Sequence, residues 1–515
     1  MKTARYQFLF LLLLLAVSCG EKKPVAEPSH PAVKAELTEV GGFQASFLVN
    51  TIDVSRLLYG YGTGQTPALD QTMETEGTGA VRITLVLKDL QPETDYRLRL
   101  QGIGPDGTEG SIVSVDFTTG AGPSGMYSWE RNRDRAPSFA DITLVTLGTH
   151  NPNPPAWTAD RFASHVLYRD RDNKAHWLFD AFLCIDGWDA KRNLSYSITS
   201  NRYSAIKESW EDLLEAWLGT NGALLKLDRA IEDAARELGA PPRPRFVVMT
   251  LPDPIMFQYF HDKHSSTTYW GSVDGKQLDF SKVEDQELAY KWYMDAIRKR
   301  FHELQMKHVE LAGFYILSEE LPVSPSFYKA AGESYSQADI WNSQYKRWEQ
   351  LIPWVSAYAH SCNEGLWWIP YHLAPGYRVW KQLGFDCAFM QPNHYWDTAN
   401  QHPMSKTVTA LKRYKMGMEI EFEYSLVADV MKDGRWGPDG AGNMTFTQAD
   451  IPALRGRLRE YFEGFKESGG YGTLPIAVYS GTDAMHQLAS SDDSGDREMY
   501  HELCQYIIDS PLKEP

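Results

Sequence analysis

Two stretches of the chain, about a hundred residues apart, place carboxylates at the ends of apolar strands. They are GFYILSEEL (313–321), with Glu319 and Glu320, and GMEIEFEYS (417–425), with Glu419, Glu421 and Glu423. Glycosidic bond cleavage needs two such acids. One carboxyl must stay protonated to assist the leaving group, and the other must stay ionised to attack the sugar or activate water. The two stretches therefore predict a two-carboxylate hydrolase, provided that both strands belong to one barrel.

Position along the strands favours Glu319 and Glu421 as the catalytic pair. Glu319 is nearest the end of its strand, whereas Glu320 could be a solvated loop charge. Strand alternation places Glu419, Glu421 and Glu423 on one face, with Glu419 deepest and Glu421 nearer the expected strand end. Glu320, Glu419 and Glu423 are therefore the alternates. A competing interpretation is that one or more acids of the second stretch pair with Arg or Lys as structural ions.

Eight apolar strand candidates must position these acids, with amphipathic helical segments between them. The candidates are ITLVTLG (142–148), HWLFDAFL (176–183), RFVVMTL (245–251), ELAGFYIL (310–317), LWWIPY (366–371), DCAFMQ (386–391), GMEIEF (417–422) and PIAVYS (475–480). Apolar strands that alternate with amphipathic helices, such as 289–304, are typical of a parallel sheet covered by helices. Eight units over residues 125–510 predict a (β/α)8 TIM-type barrel. An open doubly wound sheet is the alternative, but no Gly-rich phosphate turn follows the first strand.

Polar and aromatic side chains collect at the expected C-terminal strand ends, where a barrel of this type carries its site. The predicted sugar-binding residues are His150, Asp180, Trp188, Trp368, Tyr371, His372, Gln391, Asn393, His394, Trp396 and Tyr479. Tyr371, His372, Gln391 and Asn393 would hold sugar hydroxyls, and the tryptophans could stack on sugar rings. Any one of these could be an ordinary core or rim residue. Together with Asp253 after the third strand and the glutamates after the fourth and seventh, they give polar residues at all eight strand ends, which predicts a ligand-binding mouth.

A metal-dependent hydrolase is a further alternative, built on four of the same side chains. These are His150, Asp180, His372 and His394. Barrel metal sites usually begin from a close His-x-His on the first strand, which this chain lacks. The sequence therefore predicts neither a metal nor another cofactor.

Residues 32–120 contain short alternating strands separated by Gly-rich turns, which predicts a separate all-β domain. The segment LQPETDY (90–96) and the closing FTTG (117–120) resemble a fibronectin type III sandwich. In such a sandwich Tyr96 would serve as a corner that ties a loop to its strand. This domain is interpreted as a spacer.

The N-terminus has the pattern of a processing segment. Basic residues precede a short apolar run (8–17), and small residues lead into Cys19. This resembles the cleavage box of bacterial lipoproteins, so residues 1–19 are interpreted as a signal peptide ending at a lipidated Cys19, and residues 20–31 as a linker. The alternative is ordinary signal cleavage with an incidental cysteine. Lipidation predicts a cell-envelope or outer-membrane protein, periplasmic or surface-exposed, that contacts the membrane through its anchor only.

Composition narrows the expected partners. A net charge of −16 argues against nucleic acid and against anionic membrane surfaces. The 16 Trp and 27 Tyr suit either sugar stacking or a large core. The four cysteines after Cys19 have no zinc or disulfide spacing, which predicts free thiols. Carbohydrate is the remaining expected partner.

The acids after the fourth and seventh strands resemble the arrangement in clan A of the retaining glycoside hydrolases. There, an acid/base follows strand four and a nucleophile follows strand seven. The acid/base of that clan usually follows an Asn, whereas Ser318 precedes Glu319 here. The resemblance implies the same two roles for Glu319 and Glu421.

A closer resemblance covers nearly all of the C-terminal domain. GFYILSEE, WWIPYHLAPGYRVWKQLGFDCAFMQPNHYW (367–396) and GMEIEFEY are similar to the hallmark segments of the bacterial domain-of-unknown-function family numbered 4855. That family implies a secreted protein or lipoprotein, often from polysaccharide-degrading bacteria. Two functions stay open: a glycoside hydrolase of the cell envelope, or a non-catalytic glycan-binding lipoprotein on the same scaffold.

Overall fold

The computed structural model describes residues 31–513, apart from 41–44, 76–78, 88–89, 92, 121–138, 149–155, 199–202, 243, 341–346 and 433–445. The predicted signal peptide, Cys19 and nearly all of the linker lie outside the described residues. Within the described part no helix is both long and apolar enough to cross a bilayer.

The N-terminal region is a β-sandwich. Its strands are β1 (Ala32–Val40), β2 (Ala45–Ile52), β3 (Arg56–Gly62), β4 (Gln71–Glu74), β5 (Ala80–Leu87), β6 (Asp95–Ile103) and β7 (Val113–Thr118). They form two antiparallel sheets, ordered β1-β2-β5 and β4-β3-β6-β7. The sheets share a core in which Phe47 of one sheet meets Phe117 of the other edge-on at 5.2 Å. Tyr96 accepts a hydrogen bond from the Gln91 N–H at 3.0 Å, which confirms the predicted tyrosine corner.

The strands after the sandwich supply the barrel and several short hairpins. They are β8 (Asp141–Thr146), β9 (Leu167–Arg169), β10 (Ala175–Trp177), β11 (Ala181–Ile185), β12 (Trp188–Asp189), β13 (Leu194–Ser195), β14 (Tyr203–Ser204), β15 (Arg245–Leu251), β16 (Ser272–Val273), β17 (Lys276–Gln277), β18 (Val309–Ile316), β19 (Gly365–Trp368), β20 (Cys387–Met390), β21 (Gly417–Glu421) and β22 (Ile476–Tyr479). The order β11-β15-β18-β19-β20-β21-β22-β8 is a closed barrel, and every neighbouring pair in it is parallel. The predicted eight-stranded barrel is confirmed.

Helices surround this barrel. They are α1 (Ala159–Val166), α2 (Lys207–Leu218), α3 (Ala223–Leu238), α4 (Val283–Leu304), α5 (Pro325–Ala330), α6 (Trp348–His360), α7 (Met404–Tyr414), α8 (Ala428–Lys432), α9 (Ile451–Ser468), α10 (Ala484–Ser490) and α11 (Ser494–Ile508). The barrel strands are buried almost throughout because one face points into the barrel and the other packs under the helices.

The second barrel strand differs from its prediction. The apolar run 176–183 is divided between two elements: β10, which pairs with β9 in a hairpin, and β11, which enters the barrel only at Ala181. A continuous apolar run does not mark where a hairpin ends and a barrel strand begins. The shift moves Asp180 from the interior of a strand to a position before its N-terminal end.

A bulge in β18 sets the direction of the strand that leads to Glu319. The parallel register with β15 slips between Val247 and Val248, opposite the step from Leu311 to Gly313. Gly313 has a φ of 149°, and a Cβ at this position would lie 2.1 Å from the carbonyl oxygen of Gly365 on β19. Only glycine fits this close approach, and bulges of this kind re-aim the side chains that follow them.

Candidate active site

Glu319 lies three residues beyond the end of β18, and its backbone is held by neighbouring groups. Its carbonyl oxygen accepts the Tyr371 N–H at 3.2 Å. The preceding residue, Ser318, accepts the Trp368 indole N–H at 2.7 Å, and its hydroxyl donates to the carbonyl of Glu320 at 3.1 Å. The carboxyl of Glu319 itself makes no hydrogen bond to a described side chain. Its proton is therefore available to a ligand.

Glu421 is the last residue of β21 and is fully buried. Its Oε2 accepts two hydrogen bonds, from the Asn393 N–H at 2.7 Å and from the Tyr461 hydroxyl at 2.8 Å. The Tyr461 oxygen in turn accepts the N–H groups of His394 and Tyr395, so its one proton is directed at Glu421. Oε1 makes no hydrogen bond of normal length to any described residue. Oε1 is itself buried, so the whole carboxyl is enclosed.

The two acids are linked through the strands between them. Glu319 follows β18, Tyr371 follows β19, Asn393 follows β20 and Glu421 ends β21, and these four strands are consecutive in the barrel. The Asn393 side-chain amide donates to the Tyr371 hydroxyl at 2.9 Å, while its backbone N–H binds Glu421. Asn393 has a φ of 53°, a left-handed conformation that Asn tolerates better than most residues. This turn allows one residue to contact both neighbours.

Burial controls the protonation of the acids. It raises the pKa of Glu319 to about 7, with a further contribution from the charge of Glu320. It also raises the pKa of Glu421 to about 7, against the opposing effect of Tyr461 and its other donors. The pKa of Glu419 is raised well above its ordinary value, first by burial and then by the charges of Glu421 and Glu319. The charge of Glu319 thus raises the pKa of both Glu419 and Glu421, which places the three carboxyls near one another.

None of Glu319, Glu419 and Glu421 forms an ion pair with a described Lys, Arg or His. The interpretation of Glu419 or Glu421 as a structural ion is therefore wrong for the part of the chain that the structure describes. Glu423 accepts the Trp396 indole N–H at 3.0 Å. A buried acid without a neighbouring cation has a raised pKa and does not stabilise the fold as an ion pair would. Such acids are typical of functional sites.

Replacing Glu419 with Gln is expected to stabilise the protein at alkaline pH. A carboxyl whose pKa is raised by folding stays protonated in the folded state after the unfolded chain has lost the proton, so stability falls as the pH rises above the ordinary value of 4.5. Each unit of pKa shift corresponds to about 1.4 kcal/mol. The thermal midpoint of Glu419→Gln should exceed that of the wild type at pH 8, and the difference should shrink towards pH 4. A difference independent of pH, or one shared by the exposed control Glu463→Gln, would contradict this.

Several predicted sugar-binding residues lie around the acids. Burial, then the charges of Glu319 and Glu421, raise the pKa of Tyr371, which places its hydroxyl near both. Gln391 lowers the pKa of Glu421, so its amide is also at the site. Trp396 and Tyr479 are half-buried, with ring centres 6.3 Å apart.

His372 lies beside this group. It is half-buried, its ring centre is 4.7 Å from that of His402, and its Nδ1 is 3.4 Å from the Thr407 hydroxyl. Burial, followed by the charge of His402, lowers its pKa to about 4. His372 is therefore a neutral imidazole at neutral pH.

The prediction for Asp180 is wrong. Asp180 precedes β11 and lies at the N-terminal end of the barrel, opposite the acids. It is buried against Arg245 at 2.9 Å and Lys513 at 3.3 Å, and Lys513 also pairs with Asp141 at 2.5 Å. These charges close the bottom of the barrel. Asp180 therefore cannot reach a ligand in the mouth, or join the proposed metal set with His372.

The prediction that Trp368 stacks on sugar is also wrong. Trp368 is fully buried, and its ring is stacked on Phe385 at 5.4 Å. Its indole N–H supports the loop before Glu319 through Ser318. No face of the ring is left for a ligand.

His394 does not bind ligand in this arrangement either. Its Nε2 contacts a carboxylate oxygen of Glu460 at 2.6 Å, and its Nδ1 contacts the carbonyl of His402 at 3.2 Å. Both ring nitrogens are thereby engaged. His150 lies outside the described residues.

Two residues of the site were missing from the predicted set. Tyr461 lies in α9 and is buried. Asp253 follows β15 and is buried, and burial raises its pKa to about 7. The pKa of Asp253 also responds to the charge of Glu319. Asp253 could have been predicted as a site residue, because it is a polar residue directly after the third apolar run. No feature of the sequence indicated that Tyr461 belongs to the site.

Comparisons with known proteins give a family and distant structural likenesses. The family model described as "Domain of unknown function (DUF4855)" matches residues 141–435. No curated protein matches the chain. A Bacteroides ovatus GH5 xyloglucanase in complex with a XXXG heptasaccharide is 9% identical with a TM-score of 0.36, over 92% of this chain and 100% of that one. A β-D-glucuronidase for Dictyoglomus thermophilum is 10% identical with a TM-score of 0.26, over 88% of this chain and 61% of that one.

The sandwich region has its own likeness. The fibronectin type III domain of human fibronectin type III domain containing protein 3 is 18% identical, with a TM-score of 0.13, over 19% of this chain and 93% of that one. Identities and scores this low do not indicate a shared substrate or activity.

Proposed function

The chain belongs to the family described as Domain of unknown function (DUF4855), as its motifs predicted, and we propose that it is a glycoside hydrolase using Glu319 and Glu421. The observation that carries this proposal is the position of the two acids at the C-terminal ends of β18 and β21 in one closed barrel. Neither acid pairs with a described cation. Hydrolysis of a glycosidic bond typically requires two carboxyl groups that flank the bond.

Glu319 is proposed as the general acid. An acid must be protonated near neutral pH, and the raised pKa of about 7 meets this requirement. Glu319 is half-buried and lies beyond the C-terminal end of β18, where a leaving-group oxygen would have to approach it.

Glu421 is proposed as the nucleophile, or as the base that activates water. The Asn393 N–H and the Tyr461 hydroxyl both donate to Oε2, which favours the ionised form and fixes the orientation of the carboxylate. Tyr371, Gln391 and Asn393 are proposed to hold sugar hydroxyls beside it.

The alternative is a glycan-binding protein without catalysis. The raised pKa of Glu421 favours it, because an acid that is half protonated near pH 7 is a weaker nucleophile. Both functions use the same aromatic and amide groups. Only the hydrolase requires that a bond be cleaved.

A panel of bacterial and plant polysaccharides, incubated with the mature protein, tests the proposal. Release of reducing ends, absent from the Glu421→Gln variant, supports hydrolysis. Retention of a polysaccharide on the protein without release of any reducing end supports the binding alternative.

The cell-envelope location rests on Cys19, and we expect Cys19→Ala to release the protein from membranes. A thioether-linked lipid is the only anchor proposed, and removing the thiol removes the site of attachment. Fractionation of cells expressing either form, followed by immunoblotting, is the measurement. Cys19→Ala should move from the membrane pellet to the soluble fraction, whereas equal membrane association of both forms would refute the lipid anchor.

A further inference from the structure

A second opening lies across the barrel mouth from Tyr371 and Asn393. It has a volume of about 480 Å³ and begins where β8 and β11 end, with Leu147 and Asp186 in its wall. Its outer wall comes from the β12 hairpin and the C-terminal half of α2. Neither proposed catalytic acid lines it.

The order of the strands relates this cavity to the acids. Around the closed barrel, Glu319 on β18 and Glu421 on β21 are separated on one side by β19 and β20. On the other side they are separated by β22, β8, β11 and β15. The cavity lies at β8 and β11, the middle two of these four. A linear ligand that passes between the acids from the β19–β20 side therefore points at it.

The distance across the mouth makes this a separate binding position. An eight-stranded barrel with ordinary strand spacing and tilt is roughly 15 Å across. A sugar at the cavity would therefore not be the sugar whose bond is cleaved.

The wall of the cavity has the chemistry that binds a sugar. Trp188 is half-buried on the β12 hairpin and presents an aromatic surface to the cavity. Thr220 and Asn221, both exposed, add a hydroxyl and an amide from the turn after α2. An apolar face combined with hydrogen-bonding groups is what a pyranose ring requires.

The charges of the wall select against an acidic ligand. The lining carries four carboxylates and one ammonium group. These belong to Asp186, Asp189, Asp212, Glu215 and Lys191. Lys191 already pairs with Asp212 at 3.1 Å. Arg192 pairs with Asp189 at 2.8 Å and with Asp212 at 2.7 Å, and Arg300 pairs with Glu215 at 3.1 Å. These cations are already engaged by the carboxylates of the wall, so a uronic acid or sulfated sugar would find little positive charge to bind, whereas a neutral sugar needs none.

We propose that this cavity is a distal subsite for a neutral oligosaccharide, with Trp188 as its platform. The proposal rests on the proposed hydrolase function and specifies its substrate as the interior of a neutral polysaccharide chain. Binding energy at a remote subsite assists cleavage only when the chain is long enough to reach it.

The test is the dependence of kcat/KM on chain length. Neutral gluco- and manno-oligosaccharides, from disaccharide to octasaccharide, are assayed with the full mature protein. In the wild type, kcat/KM should rise by about tenfold or more with length. Trp188→Ala should remove that rise, and the matched Trp188→Phe should keep it.

A second variant avoids truncating a half-buried residue. Ala216 is exposed on α2 and lines the cavity, so Ala216→Trp should fill the cavity without disturbing the core and should also remove the rise. An unchanged length dependence in both Trp188→Ala and Ala216→Trp would overturn the subsite. A preference for uronate-containing chains of equal length would overturn its neutral specificity.

A binding measurement separates failure of the subsite from failure of the hydrolase. If no oligosaccharide is cleaved, calorimetry with the octasaccharides compares wild type with Trp188→Ala. Weaker binding by Trp188→Ala would keep the subsite and reject only the hydrolase. Equal binding by the two proteins, or none by either, would reject the subsite.

Discussion

Replacing Glu421 with Gln is expected to reduce kcat by about 10³-fold or more. An amide oxygen cannot form a stable glycosyl ester or remove a proton from water. The side-chain amide can still accept the Asn393 N–H and the Tyr461 hydroxyl, so the geometry around it should persist. Affinity for the glycan should therefore stay close to that of the wild type. Thermal stability at neutral pH should not fall below that of the wild type, because the change removes a carboxyl whose pKa is raised by folding.

The matched control for this variant is Glu463→Gln, which makes the same chemical change on the exposed surface of α9. It should retain full activity. Loss of activity in Glu421→Gln with a lowered thermal midpoint would point to damage of the fold. Retained activity would remove Glu421 from the mechanism and direct attention to Glu423 and Glu419.

Replacing Glu319 with Gln should slow hydrolysis by an amount that depends on the leaving group. Loss of general acid catalysis typically lowers rates by about 10²–10⁴-fold for leaving groups that need a proton. The nitrophenol leaving group of an aryl glycoside departs as an anion and needs no proton. Hydrolysis of such a substrate should therefore be much less affected by Glu319→Gln. The measurement compares kcat/KM of Glu319→Gln with that of the wild type on two substrates that share one glycone. One substrate has a sugar as its leaving group, and the other has dinitrophenol.

The pH dependence gives a second signature of Glu319. Because the acid must be protonated and its pKa is raised to about 7, wild-type activity on a natural glycan should fall as the pH rises above neutrality. Activity at low pH should fall as Glu421 becomes protonated. Glu319→Gln should lose the alkaline decline and keep the acidic one. An equal loss with both leaving groups and an unchanged pH profile would refute the acid role and favour testing Glu320.

The barrel was predictable because its strands carry their own signal. Buried parallel strands are apolar on both faces, and seven of the eight candidates lie within a few residues of the observed strands. The exception is residues 176–183, where one apolar run is shared by a hairpin strand and a barrel strand. The position of Asp180 is decided by Arg245 and Lys513, which lie far along the chain and give no local pattern.

The candidate site was predictable where strand ends carry polar groups. Glu319, Tyr371, Asn393 and Glu421 each follow or end a barrel strand, and parallel strands bring those ends together. The side chains that support them were not predictable. Tyr461 directs its proton at Glu421 from a helix, and nothing in its spacing distinguishes it from a core tyrosine.

The aromatic residues show why composition alone was ambiguous. Trp367 and Trp368 are adjacent on β19, and both are buried. Trp188 and Trp396 are half-buried, and Trp188 lines a cavity. A sequence gives the number of tryptophans at strand ends, but helix and strand packing from distant segments decides which of them reaches a ligand.

Cleavage of a bound glycan by Glu319 and Glu421 is tested by measuring binding and hydrolysis in one experiment. A glycan that binds the wild type is incubated with the wild type, Glu319→Gln and Glu421→Gln, and both the dissociation constant and the release of reducing ends are measured. The account predicts similar affinities for all three proteins and rapid release by the wild type alone. Equal affinities with no release by the wild type, or equal release by all three, would contradict it.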